Sequence, residues 1–311
     1  MDTTRLIRRD YGDNPFINVK HDYGFKYYFG QLRHKHVLIR YLNAIFSRAG
    51  RDIVVEDVAY HDKEILPISE DGKKIIYDIY CSTPAHHHFI VEMQNVYEQS
   101  FENRIIFYTM KIPAGQGAPG WDYDLEPVFS IILSNFNVRG LPKQLFHDIV
   151  LYDKETSTVF SDKINIFLIC LPERPGRWKE CRDEFERLTY LIDRMGDLTK
   201  DSEEYKDIEY SDFFKAAEKS NMSDTEYVRY SESIQRVADQ RREMAYARKE
   251  AREAGLAEGR AEGRAEGRAE ERIRLTLEFI KKMLLKKIDI PTISELSGYD
   301  ISQIEKLASE M

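Results

Sequence analysis

Two short apolar runs separated by a turn are the clearest pattern along the chain. The first covers residues 74–81 and the second residues 88–94, and both are rich in Ile, Val, Phe and Tyr. The segment 82–85 between them, Ser-Thr-Pro-Ala, has the composition of a turn. The pattern therefore predicts a β-hairpin.

An acidic residue interrupts each apolar run. If the hairpin is centred on Ala85, Asp78 lies directly opposite Glu92. Side chains alternate between the two faces of a strand, so Gln94 joins Glu92 on one face while Met93 points away. Like charges directly opposite each other destabilise a sheet. This pair therefore needs a compensating cation, and a divalent metal is the simplest candidate.

The elements around the hairpin predict a mixed α/β domain. Helical spacing of apolar residues predicts a short helix opening at Asp22, a second through 37–46 and a third from 98 to 111 that Pro113 ends. Strands are expected over 53–60, 128–133 and 164–170, with a tight Asp71-Gly72 turn before the hairpin and a mobile loop over 115–120.

Beyond residue 172 the chain becomes helical and highly charged. The predicted organisation is a core over 1–172, a helical extension over 173–250, a Gly-Arg-Ala-Glu segment over 251–271 and a small helical module over 272–311. Like charges four residues apart and repeated glycines weaken a helix in 251–271. That segment is interpreted either as a linker or as a helical stalk whose glycine column admits a partner helix.

The last forty residues predict two short helices, 291–299 and 301–307, joined at a glycine. This layout is that of a helix-turn-helix. The second helix offers Gln303 and Glu305, which is not a basic surface for reading DNA bases. A small packing or oligomerisation hairpin is the favoured alternative.

Charge is distributed unevenly along the 311 residues, whose formal net charge is −8. Residues 1–50 carry nine Lys or Arg against four Asp, whereas residues 51–100 carry four basic against ten acidic residues. A basic flank beside an acidic pocket is compatible with gripping phosphates while binding a cation. Scattered solvated charges remain an equally good interpretation.

Composition also bears on the compartment. An odd count of three cysteines without CxxC spacing disfavours a disulfide framework or a zinc knuckle and suits a reducing cytoplasm. The first nine residues lack the apolar segment of a signal peptide. No apolar run approaches the roughly 20 residues that span a bilayer, so we expect a cytoplasmic protein that does not enter a membrane.

The acidic pair and its strand context resemble a known nuclease superfamily. Asp78, followed fourteen residues later by Glu92-x-Gln94 within a helix, three strands, a helix and a strand, resembles the PD-(D/E)XK superfamily. The closest likeness is to its Rpn-like branch of recombination-promoting nucleases and transposase-family proteins. The segment from Asp22 to Lys26 looks like the opening helix of that branch, and the Gly-Arg-Ala-Glu tail is similar in style. The resemblance covers about residues 15–170 and implies a restriction-endonuclease-like αβββαβ core followed by a helical C-terminal region.

The resemblance also implies a chemistry, a metal-dependent phosphodiesterase that acts on DNA. Asp78 and Glu92 would hold Mg²⁺, with Mn²⁺ as a substitute, helped by the backbone carbonyl of Met93 and by water. Asp22 would act from the first helix as a second-metal or outer ligand, and Lys26 would contact phosphate. A helix N-cap is the alternative role for Asp22.

Gln94 departs from the superfamily pattern, which has lysine at this position. Glutamine can orient a water or a phosphate oxygen but carries no charge. Either Arg104 or Lys111 supplies the cation, or activity is weak or absent. Arg104, Tyr108 and Lys111 share one helical face that could meet a phosphate. For Arg104 and Tyr108, a structural salt bridge and core packing are equally good alternatives.

Three functions remain open at this point. The first is an endonuclease serving recombination, mobile elements or defence against foreign DNA. The second is a silent relative that binds DNA or protein and forms homo-oligomers through its C-terminal helices. The third, a strict transposase with three carboxylates on an RNase H-like sheet, is disfavoured because the acids sit on adjacent hairpin strands. Residues 86–88 are expected to form an exposed loop and not a zinc site, since three consecutive residues cannot all converge on one ion.

Overall fold

The computed structural model describes residues 14–65, 75–117, 120 and 122–310. The strands are β1 (Ala59–Tyr60), β2 (Glu64–Ile65), β3 (Ile75–Ile76), β4 (Ile79–Ser82), β5 (His88–Gln94), β6 (Val128–Ser134), β7 (Phe146–Asp153) and β8 (Thr158–Cys170). The helices are α1 (Asp22–Phe29), α2 (Lys35–Arg48), α3 (Phe101–Gly115), α4 (Glu184–Arg194), α5 (Ser211–Ala217), α6 (Asp224–Leu285), α7 (Ile290–Ser297) and α8 (Ile301–Ser309).

Six strands form one mixed sheet in the order β1-β4-β5-β6-β8-β7, and β2 pairs with β3 in a separate ribbon. Strand β5 is antiparallel to β4 and parallel to β6, which in turn is parallel to β8. Strands β5 and β6 are buried along almost their whole length, as expected for parallel strands covered on both faces. The mixed α/β class predicted from the sequence is confirmed.

The two faces of β5 pack against different helices. Phe89 and Val91 belong to the main core, which also contains the apolar residues of α1, α2 and α4. Ile90 packs on the opposite face, against Ile112 of α3. Glu92 lies on this second face too, beside Arg104 of α3. The site therefore lies in the part of the sheet that is covered on both faces.

The first hairpin strand is broken, whereas the sequence predicted a continuous strand over 74–81. The break falls at Tyr77 and Asp78, between β3 and β4. Here the backbone N–H groups have partners outside the backbone ladder of the hairpin: Tyr77 N donates to the carbonyl of Lys63 at 2.8 Å, and Asp78 N donates to the side-chain carboxylate of Glu92. Lys74 and the predicted turn at 71–72 lie outside the described residues.

The prediction of a strand over 53–60 is mostly wrong, because only Ala59 and Tyr60 form a strand, which pairs with β4. Val55 is buried, but its backbone groups are satisfied by the side chain of Asn43. The Asn43 amide donates to Val55 O at 2.9 Å, and its oxygen accepts from Val55 N at 2.7 Å. A side-chain amide thus takes the place of a neighbouring strand.

The third helix and the last strands also differ from prediction. Helix α3 begins at Phe101 and continues past Pro113 to Gly115. Proline loses one intrahelical hydrogen bond, which the last turn tolerates while buried Ile112 holds it against the sheet. Strand β7 was not predicted, because its residues alternate irregularly and stand largely exposed at the sheet edge. The loop prediction over 115–120 falls partly on residues 118–119, which are outside the described set.

The chain divides between Arg236 and Val237 into two units. The predicted boundary at residue 172 falls inside the first unit. In the second unit, residues 251–271 have the helical backbone of the stalk alternative, as part of α6. Helices α7 and α8 are joined at Gly298, whose φ of 72° suits glycine. They pack on the end of α6 through Ile280, Ile293 and Ile304. Within the ranges described, no helix combines the length and apolar character needed to cross a bilayer.

Candidate active site

The hairpin of β4 and β5 has the register predicted from the sequence. Ile79 lies opposite Val91, so Asp78, one residue before β4, comes opposite Glu92. Two crossed hydrogen bonds join the strands here. Asp78 N donates to Glu92 Oε1 at 3.0 Å, and Met93 N donates to Asp78 Oδ2 at 3.1 Å. Each carboxylate is therefore held in place by a backbone group of the facing strand.

Glu92 is buried, and Asp78 beside it is partly buried. Glu92 is 7% exposed and the side chain of Asp78 is 17% exposed. Burial, and then the negative charge of Asp78, raise the pKa of Glu92 to about 8. Burial also raises the pKa of Asp78, against the opposing effect of Lys26. Burial thus disfavours the ionised form of both carboxyl groups, and such raised pKa values are typical of functional sites.

Helix α1 brings a further carboxylate and an ammonium group to the pair. Lys26 Nζ lies 2.5 Å from Asp22 Oδ1 and 3.2 Å from Asp78 Oδ1. Burial alone would lower the pKa of Lys26, but its hydrogen bond to Asp22 and the charge of Asp78 raise it overall. The N-cap of α1 is His21, so Asp22 does not cap the helix. Asp22, with a side chain 68% exposed, instead reaches the site through Lys26.

Gln94 connects Glu92 to a cation on helix α3. Its Nε2 donates to Glu92 Oε2 at 3.3 Å, while its Oε1 accepts a hydrogen bond from Arg104 Nη2. Arg104 also forms a salt bridge of 2.8 Å with Glu98. The structure therefore brings Arg104 to the acidic pair through the amide of Gln94.

The other two residues predicted on this face of α3 differ in their contacts. Tyr108 packs edge-on against Tyr77, and its backbone carbonyl accepts a 2.8 Å hydrogen bond from the Tyr77 hydroxyl. It also lines a narrow cavity with Glu92 and Arg104. Lys111 is half-buried, and no hydrogen bond or ion pair connects it to these groups in the described part of the chain. Arg104 and Tyr108 are thus brought to the pair, whereas Lys111 is not.

Lys63 is a neighbour of the site that the sequence analysis missed. It lies between β1 and β2. Its pKa is affected by the charges of Asp22 and Asp78, the two carboxylates that contact Lys26. The sequence around it, His61-Asp62-Lys63-Glu64, has no motif, and its proximity depends on the backbone bond from Tyr77. Only the three-dimensional fold could have identified it.

The oxygen donors at the acidic pair fit a hard divalent cation. In an extended strand the N–H and C=O of one residue point to the same side. Because Met93 N points to Asp78, its carbonyl faces the Asp78 side as well. Two carboxylates and a carbonyl are the ligand types that Mg²⁺ and Mn²⁺ accept, with water completing the set. No cluster of three or more His, Cys, Asp or Glu arranged for a metal occurs in the described ranges, so the proposed set depends on this carbonyl and on water.

The three consecutive histidines do not form such a site either. His88 begins β5, and its Nε2 lies 2.5 Å from Glu126 Oε2. His86 Nδ1 lies 3.0 Å from the other carboxylate oxygen of Glu126. The expected exposed loop is correct for His86, whose side chain is 74% exposed, but wrong for His88, which is 14% exposed because it lies within the sheet.

The mixed sheet carries Asp directly before one hairpin strand and Glu-x-Gln on the next strand, and the hairpin lies between an opening helix and a second helix. This arrangement is that of a protein of the PD-(D/E)XK nuclease class. A family model described as PD-(D/E)XK nuclease family transposase matches residues 19–247, and the chain belongs to this family. The matched range includes every candidate site residue and stops before the Gly-Arg-Ala-Glu repeats. No curated protein and no solved structure matches the chain. Membership supports a nuclease kind of activity on DNA, and PD-(D/E)XK nucleases generally use divalent metal ions.

Proposed function

We propose that this protein is a Mg²⁺-dependent DNA endonuclease that hydrolyses phosphodiester bonds at the Asp78–Glu92 pair. The observation that carries the proposal is the pair itself, two largely buried carboxyl groups fixed by crossed backbone hydrogen bonds, each with its pKa raised above the ordinary value. A structural acidic pair would be expected to have a full set of cationic partners.

The residues have distinct roles in this proposal. Asp78, Glu92 and the Met93 carbonyl would hold Mg²⁺ or Mn²⁺. When bound, such an ion lowers the pKa of a water molecule and neutralises charge on phosphate oxygens. Asp22 keeps Lys26 beside Asp78, so that a positive charge stays at the pair. The buried surroundings of Glu92 limit the access of bulk water and strengthen each of these interactions.

Arg104 is the residue that we propose replaces the lysine of the family pattern. Gln94 carries no charge, but its amide accepts from Arg104 and donates to Glu92. A guanidinium group stays protonated at any physiological pH and can bind phosphate with two parallel hydrogen bonds. Tyr108 and Lys111, on the same face of α3, would extend this contact along the DNA backbone.

The biological setting is proposed from the family and from the cysteine residues. A nuclease of a transposase family fits a role in recombination, mobile-element movement or defence against foreign DNA. Cys81, Cys170 and Cys181 are buried and unpaired, which fits the reducing cytoplasm that we propose as its location. Helix α6 leaves Ile273, Leu275 and other apolar residues about half exposed, which supports homo-oligomerisation through the C-terminal helices.

The second candidate is a catalytically silent relative that binds DNA or protein and assembles through the tail. Gln94 favours it, because the uncharged amide stands where the family pattern has a lysine. On this account the acidic pair persists without cleavage. The two candidates make opposite predictions for a single assay.

Supercoiled plasmid incubated with the full chain and Mg²⁺ or Mn²⁺ should be nicked. We expect Asp78→Ala and Glu92→Ala to abolish the nicking, because each removes one of the two carboxylates. Plasmid left intact by the parent chain, with a gel shift retained, would favour the silent binder. Strand-transfer products would favour a transposase in the strict sense.

A further inference from the structure

Lys63 is fixed beside the acidic pair by its backbone. Its carbonyl accepts the 2.8 Å hydrogen bond from Tyr77 N, and Tyr77 directly precedes Asp78. This bond belongs to the break between β3 and β4, where the strand leaves the hairpin ladder. The break that orients Asp78 therefore also places Lys63.

The side chain of Lys63 lies against the end of helix α1. Its Nζ is 3.5 Å from the position that a Cβ on Gly30 would occupy, so the ammonium group lies in contact distance of the residue that directly follows α1. The residue is half-buried, and the ammonium forms no hydrogen bond or ion pair with any residue in the described ranges. Burial, and then the charge of Lys26, lower the pKa of Lys63.

The carboxylates near Lys63 already have another partner. Asp22 and Asp78 both contact Lys26, and they reach Lys63 only by longer-range attraction. A half-buried cation next to a second cation is electrostatically unfavourable unless an anion joins them. In a DNA nuclease the anion with the right charge and size is a backbone phosphate.

We propose that Lys63 and Lys26 form a phosphate subsite on the α1 side of Asp78, which takes one backbone phosphate of the DNA. The subsite rests on the proposed function, since it assumes that DNA reaches the acidic pair. Arg104 lies on the opposite face of the sheet, with α3. The DNA backbone is thereby contacted from both sides of the pair.

The test is the binding of a fluorescent 20-base-pair duplex to the full chain in EDTA, so that nothing is cut. We expect Lys63→Gln to weaken binding about fivefold to tenfold and to reduce the slope of log affinity against log salt by about one. Lys63→Arg keeps the charge and should bind like the parent. Lys154→Gln is the matched control, because this exposed lysine lies in the turn between β7 and β8. The thermal midpoint of Lys63→Gln should not fall, since its loss relieves repulsion with Lys26.

Equal binding and salt slopes for Lys63→Gln and Lys154→Gln would overturn the subsite, and so would a parent chain that binds no duplex. Plasmid nicking by the parent separates this result from the proposed function. If the parent nicks DNA while Lys63→Gln behaves like its control, only the subsite fails. If the parent does not nick DNA but Lys63→Gln alone loses binding, the subsite stands and the nuclease fails.

Discussion

Replacing Glu92 with glutamine is expected to reduce DNA cleavage by at least about a hundredfold, because even residues that merely support metal ligands cost about 10- to 100-fold when mutated. The same substitution should make the metal-free chain more stable at pH 8. If Glu92 served only in packing, its replacement would instead lower the stability of the chain, and activity would fall only in proportion to that loss.

The stability change follows from the direction of the pKa shift. The ordinary pKa of a glutamate is 4.5, and in the folded chain that of Glu92 is raised to about 8. Below about pH 4.5 the carboxyl is neutral in both states, so it costs nothing. As the pH rises towards 8 the unfolded chain gains the ionised form more readily, and the folded state loses stability. Glutamine does not ionise, so the variant avoids this loss.

The rise in the pKa of Glu92 from 4.5 to about 8 corresponds to about 5 kcal/mol at pH 8, at about 1.4 kcal/mol per unit. The lost hydrogen bond from Gln94 offsets part of this, so the expected gain is on the order of 3 kcal/mol. Urea unfolding followed by tryptophan fluorescence, to which buried Trp178 contributes, measures it at pH 5 and pH 8 in EDTA. The exposed Glu155→Gln is the matched control. If the Glu92→Gln chain were less stable than the parent at pH 8, the raised pKa of Glu92 would be contradicted.

Binding of Mn²⁺ or Mg²⁺ at pH 7 is expected to release about one proton. With a pKa of about 8, Glu92 is mostly protonated at pH 7 in the metal-free chain, and a carboxylate must be ionised to act as a ligand. Affinity should therefore rise with pH, by up to about tenfold per unit below pH 8. A bound cation would favour the ionised form of both carboxyl groups through its positive charge.

Calorimetric titration in two buffers with different ionisation enthalpies gives the number of protons released. Glu92→Gln should release no proton and bind the ion more weakly, whereas Glu155→Gln should behave like the parent. Tight binding without proton release, unchanged in Glu92→Gln, would place the metal somewhere other than the acidic pair.

The sequence predicted the pairing at the site better than its surroundings. The register of β4 and β5 follows from a turn centred on Ala85, which is local information. The sequence could predict that Arg104 lies near Gln94, because helix α3 directly follows the hairpin. It could not predict the position of Lys63, since a single backbone bond to Tyr77 in the strand break brings it to the site.

The misassigned elements share a physical cause. Val55 has the composition of a strand residue, yet the amide of Asn43 binds both of its backbone groups. Strand β7 lies at the edge of the sheet with much of its surface exposed, so it lacks the regular alternation of a half-buried strand. In both cases the structure is decided by contacts with residues far away in the sequence. A pattern read over neighbouring residues does not include such contacts.

Anomalous diffraction from a crystal grown with Mn²⁺ tests the central claim most directly. We predict a peak within bonding distance of the Asp78 and Glu92 carboxylates and of the Met93 carbonyl. The contrary result is an ordered site with no anomalous peak, in which both carboxylates keep only their hydrogen bonds to the facing strand.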